Sequence, residues 1–480
     1  MTSPGFGQWL LTALLALGAS AAYGGSGLCA GPEEEERQSQ AVPERDSLRS
    51  GSPLVDEVCR DVAKLRELEF KRPVPLKLAT RQEVEEFVLS EIARQWPKEQ
   101  LEADERAFKV LGLLPQEYSL HQELTALYRE QVAGLYDPHA GRMMLVKADS
   151  LKGLTKTLLS HELTHALQDQ HFDLGRLIDR SVHTLDRDFT IACVAEGDTT
   201  VLMMDYMMTK GMDDPAALAG LLSDDALAQS KKLLSAPPLL RRMMLDPYLD
   251  GIAFVNHFRG PETRSDALGD PSRGSWERVN RIYDDFPLSA EQVMHPRKYY
   301  PRRDFPQRID LARTSLGRAG YVSELWEMKT DTTLGEIGVL ALVESWGELL
   351  KDEPLKQSAG KVAAGWDGDR LVSFEHWLDR NKPDNRRIVV YWVSTWDTSE
   401  DAREMSDALE KWGKKWARAE TDRKYKRTFM LERPDVEGKP GLDVVCVLIR
   451  QRPGGSVTAR SMPPYTKTVV HKAEDLTGRK

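Results

Sequence analysis

Cysteine is scarce: Cys29, Cys59, Cys193 and Cys446 are the four in 480 residues. They are too few and too scattered for a disulfide framework or a thiolate zinc cluster, so a bound metal would be held by nitrogen and oxygen. A surplus of positive charge is also missing. The 66 Lys and Arg against 75 Asp and Glu leave a formal charge of −9, the wrong sign for a chain that grips phosphate backbones, and nucleic acid is not an expected partner. Glycine and proline, at 34 and 26 residues, hold their ordinary shares, which excludes collagen-like and low-complexity chains. No run past the N-terminus reaches about 18 apolar residues free of charge, so no membrane span is expected. What is present, 41% hydrophobic residues, is enough for one or more large cores.

The first 22 residues carry no acid, Lys or Arg. Within them the apolar run from Trp9 to Leu17 is too short to cross a bilayer and precedes Ala19-Ser20-Ala21, the pattern of a secretory signal cut after Ala21. The expected product is exported, secreted or held in the cell envelope. Leu28 stands before Cys29 where a lipobox needs a small residue, so a lipid anchor there is not expected. Residues 22–52 form an acidic leader, with Glu33 to Glu36 at its centre and no periodicity to support a core. Residues 54–70 then show helical spacing, Val74 to Leu78 alternates like a strand, and Thr80 with Glu83 is a capping-box start. Helices are expected at 102–113 and 119–131, and a hairpin at 132–147 around Asp137-Pro138-His139-Ala140-Gly141.

The most informative stretch follows. Lys156 to His171 has no Gly or Pro and should be one helix. At about 100° per residue, His161 and His165 stand roughly one turn apart on one face, while Leu159, Leu163 and Ala166 form the opposite, packed side. Two imidazoles so spaced can meet one ion, and Glu162 stands beside that ion without ligating it, where a general base for an activated water belongs. A catalytic zinc needs a third protein ligand and one open position.

The order Tyr136-Asp137-Pro138, Arg142 to Val146 and His161-Glu162-Leu163-Thr164-His165-Ala166-Leu167-Gln168-Asp169-Gln170-His171-Phe172-Asp173 resembles the zincin metallopeptidases, and within them a group of exported bacterial proteins. The resemblance runs from about residue 54 to residues 292–299. It implies a small sheet beside the His-Glu-x-x-His helix, a helical lower half, Zn2+ as cofactor and peptide hydrolysis. Two residues compete for the third ligand. His171 matches the metzincin spacing, except that Gln168 replaces the glycine that would turn the chain back to the metal. Glu196 lies in a strongly apolar stretch from Asp188 to Lys210, where a carboxylate is costly unless paired or bound to metal, and it looks like the glutamate of the gluzincins. Glu196 is the expected ligand and His171 the fallback, with Asp198, Thr200 or Asp205 as candidates to orient a ligand histidine.

The gluzincin resemblance implies that Glu162 moves the proton from water to the leaving amine, and that a His or Tyr further on stabilises the developing oxyanion. His295 is the named candidate, with Tyr283 and Tyr299 beside it. It also implies that residues 142–147 are an edge strand that binds an extended peptide or protein substrate. Helices are expected at 239–244, 248–258, 276–283 and 334–346. Strands at 370–374, 387–396, 428–432 and 442–449, with a helix at 399–417, form a small α+β module whose tryptophans should be core. The expected organisation is therefore a signal peptide (1–21), a leader (22–52), a zincin-like domain (53–354), an α+β accessory domain (355–452) and a tail (453–480), α+β overall. The expected function is that of a zinc metalloendopeptidase. The alternatives are a non-catalytic zincin-like protein that binds envelope peptides or partners, and a zinc hydrolase of a non-peptide substrate. The sequence sets no oligomeric state.

Overall fold

The computed structural model describes residues 50, 52–131, 134–146, 156–179, 183–211, 233–260, 276–309, 326–377, 386–418, 425–432 and 444–453. The expected signal, Cys29, the leader apart from residues 50 and 52, and the tail beyond residue 453 lie outside them. The fold is α+β, with a three-stranded and a five-stranded sheet. Among the described residues no helix is long and apolar enough to cross a membrane.

The chain opens with α1 (Pro53–Arg66), β1 (Leu76–Ala79), α2 (Arg81–Gln95), α3 (Lys98–Leu111) and α4 (Leu120–Gln131). The capping box forms as the sequence requires: Glu83 N–H donates to Thr80 Oγ1 at 3.1 Å, and Thr80 N–H to Glu83 Oε2 at 2.6 Å. The hairpin strands are β2 (Gly134–Asp137) and β3 (Arg142–Val146), and the Asp137 carboxylate accepts the N–H groups of His139 and Ala140 to tie the turn. The sheet order is β1-β3-β2. Strand β3 pairs in parallel with β1 and antiparallel with β2. The expected edge strand at 142–147 is therefore the central strand over its described residues 142–146. Both its backbone edges are spent on neighbours, and peptide addition to it is closed off.

Next come α5 (Lys156–Phe172), α6 (Leu174–Asp179) and α7 (Leu185–Tyr206). Helix α5 buries Leu159, Leu163, Ala166 and Leu167 against Tyr136, Met143 and Leu145 of the sheet and Val55, Val58 and Val62 of α1, each large aliphatic contributing about 1.5–3 kcal/mol. The helices that follow are α8 (Pro238–Arg259), α9 (Trp276–Asp284), α10 (Ala290–Met294) and α11 (Pro296–Tyr299). The sequence pattern broke α8 in two, but Pro247 is accommodated inside one continuous helix. Helices α7 and α8 cross at two glycines: a methyl added at Gly197 would lie 2.3 Å from the Gly251 carbonyl oxygen, and one at Gly251 equally close to that of Cys193.

The remainder is β4 (Glu327–Thr332), α12 (Gly335–Leu350), α13 (Glu353–Gln357), α14 (Ala359–Ala363), β5 (Trp366–Trp377), β6 (Arg386–Trp396), α15 (Ser399–Arg418), β7 (Tyr425–Glu432) and β8 (Val444–Pro453). The sheet runs β4-β5-β6-β8-β7, so it starts ahead of residue 355, where the sequence pattern opened the accessory module. The charged Glu-Met-Lys-Thr-Asp-Thr of β4 has no apolar run to announce a strand. Trp366, Trp392, Trp396 and Trp412 are buried, in one core with α3, α7, α8 and α12.

Candidate metal centre

The His-Glu-x-x-His segment forms the middle of α5, and Glu196 sits on α7, packed across it. The two elements bring three donor groups together. His161 Nε2 lies 3.1 Å from His165 Nε2 and 3.2 Å from a Glu196 oxygen, while His165 Nε2 lies 3.6 Å from the other. Two donors bound to one ion at about 2.0–2.1 Å with tetrahedral angles stand roughly 3.4 Å apart, so the spacing fits a shared cation. The state of the donors fits as well. All three residues are buried, and among the described residues neither Glu196 oxygen has a hydrogen-bond partner. A carboxylate stripped of water and left without donors is a costly arrangement that a divalent cation removes.

Glu162 is buried beside them, 2% exposed. Its Oε2 accepts the N–H of Tyr136 on β2 at 2.9 Å, and its Oε1 has no partner among the described residues. Burial, reinforced by the Glu196 charge, pushes its carboxyl up to about 7, against the opposing pull of His165 and the Tyr136 amide. Burial likewise pushes His161 down to about 4. Burial also disfavours charge on His165, but the Glu196 and Glu162 carboxylates outweigh it and hold that ring above its usual value. Glu196 is opposed by burial and held below the usual range by the two imidazoles.

His171 is not brought to the cluster. Without a glycine at 168 the helix runs on to Phe172, and His171 Nε2 instead donates to the Glu69 carbonyl at 2.7 Å. His295 is not brought there either. It follows the short helix α10, which packs against α12, and its ring is spent on Glu336 at 2.9 Å with the side chain 44% exposed. Tyr299 donates to the Asp285 carbonyl. Tyr283 donates to Asp198 at 2.9 Å and stacks on Phe172.

Asp198 orients no ligand histidine. It is taken by Arg66 through bonds of 2.8 and 3.0 Å, and Asp205 is taken by Arg259. The residue that does reach a ligand ring is Gln168, 3.0 Å from His165 Nδ1. The sequence offered one signal for it, its place one turn after His165 on the same face. A second acidic group, Glu291 with Asp304 and Asp397, already surrounds a cation, the ammonium of Lys298.

A family described as a domain of unknown function (DUF8575) matches residues 310–452, a span that holds β4 to β7 and most of β8 and none of the cluster. No curated protein matches the chain, and no solved structure does.

Proposed function

We propose that the chain is an exported zinc-dependent metalloendopeptidase of gluzincin type, with His161, His165 and Glu196 holding the metal and Glu162 as general base. One observation carries the reading: three buried donors from two helices converge at ion-sharing distance, with a carboxylate of unassigned duty next to them. Zinc in such a site supplies Lewis acidity, lowering the pKa of a water and polarising a carbonyl. The protein supplies the rest. The Tyr136 amide fixes one Glu162 oxygen, which leaves Oε1 to take a proton and return it to a leaving amine.

A second reading, a zincin-like protein that binds metal and partner without hydrolysis, is favoured by a different observation. His161, Glu162, His165 and Glu196 are all buried, so a peptide meets them only if a wall of the site moves. The two readings separate on Glu162→Gln. Both forms should load zinc, and the wild type should cleave members of a peptide library that the variant cleaves on the order of 10²–10⁴-fold more slowly. Zinc-loaded wild type as inert as the variant towards every peptide would select the second reading.

A further inference from the structure

Gln168 occupies the position at which the metzincin pattern has its glycine, and it is almost wholly buried. Its amide makes two contacts. Nε2 donates to the carbonyl of Ala195 at 2.9 Å, and Oε1 faces His165 Nδ1 at 3.0 Å. A backbone carbonyl can only accept, so the NH₂ end of the amide must face Ala195 and the oxygen must face the ring. An amide oxygen also only accepts, so His165 Nδ1 carries the proton. The neutral ring is then left with its lone pair on Nε2, the atom that faces His161 and Glu196. His161 has no comparable support, since its Nδ1 lacks a partner among the described residues.

We propose that Gln168 is a positioning residue for the metal site, a relay that lets the carbonyl before Glu196 set the tautomer and ring angle of His165. The inference rests on the metal reading above. Through Gln168 the second histidine on α5 is registered against the backbone of α7 next to the third ligand, so the two helices cannot drift apart without turning the ring. The outer partner of a ligand histidine is worth about 10–100-fold in metal affinity.

The test uses zinc affinity of the whole chain by chelator competition, the absorption spectrum of the cobalt-loaded protein, and the thermal midpoint of the metal-free form. Gln168→Met keeps the volume and removes both hydrogen bonds. It should weaken zinc about 10–100-fold and alter the cobalt bands. Gln170→Met is the control on the same helix. Gln170 holds Lys71 and Arg72 backbone groups, so its loss should lower the midpoint and leave zinc affinity within threefold. Gln168→Glu keeps an acceptor for Nδ1 and should lose less than about tenfold in zinc affinity against wild type, a comparison that stands even if the Met variant misfolds. Wild-type affinity and spectrum in Gln168→Met, an equal zinc loss in Gln170→Met, or a loss of more than about tenfold in Gln168→Glu would each overturn the proposal. A wild type that takes up neither zinc nor cobalt would instead overturn the metal reading.

Discussion

Two carboxylates, Glu196 and Asp369, are both buried, and the protein treats them in opposite ways. Asp369 receives four N–H donors: the backbone amides of Leu334 and Gly335 at 3.0 and 2.9 Å and the indoles of Trp366 and Trp392, both at 2.9 Å. Each oxygen has two donors, and the group joins the start of α12 to two strands of the large sheet. Glu196 receives no hydrogen bond among the described residues and faces two imidazole nitrogens. One buried charge is finished by the fold. The other is left without a donor among the described residues, and burial alone would not have told them apart.

Breaking the finished carboxylate should cost the most. Asp369→Ala strands four donors in the core, and the loss expected is roughly 3–5 kcal/mol of stability in a denaturant titration, with zinc uptake unaffected in whatever fraction folds. Glu196→Gln should show the reverse. Structural zinc sites are worth about 10–16 kcal/mol over four ligands, so a lost ligand removes roughly 3–4 kcal/mol of zinc affinity, while the metal-free protein, with a neutral amide facing the two imidazoles, loses no more than about 1–2 kcal/mol. If Glu196→Gln destabilises the metal-free chain as severely as Asp369→Ala, the contrast between them is false.

A third carboxyl sharpens the comparison, with the smallest effect of the three when taken per pH unit. Asp186, at the start of α7, is pushed up to about 7 by burial, with the Asp369 and Glu336 charges adding to the push and the Ala290 amide opposing it. A carboxyl with a raised folded-state pKa stabilises the fold below its unfolded value and gives that up as pH rises towards the folded one. Stability should therefore fall between about pH 4 and pH 7, by up to about 1.4 kcal/mol per unit for this proton. Asp186→Asn should flatten that slope, and denaturation midpoints of both forms across the range would check it.

The parts of the site legible in the sequence are those that short-range geometry decides. His161, Glu162 and His165 follow from helical spacing alone, and Glu196 from the cost of a carboxylate inside an apolar helix. The role of Gln168 was hidden because its partner is a backbone atom on another helix. The central place of β3 was hidden for a related reason: its parallel neighbour β1 lies far back in the chain, and a parallel pairing leaves no hairpin signal. His295 looked functional beside Pro296, yet its partner Glu336 is distant in sequence. The four donors of Asp369 come from three separate stretches, so its full set of partners was invisible.

The glycine crossing of α7 and α8 has a mechanical consequence. With Gly197 seated on Gly251, neither rod can roll or ratchet past the other without a main-chain collision. The residue next to that pivot is Glu196, which is thereby welded to the floor of the molecule. Any rearrangement around the two histidines therefore has to leave that crossing in place.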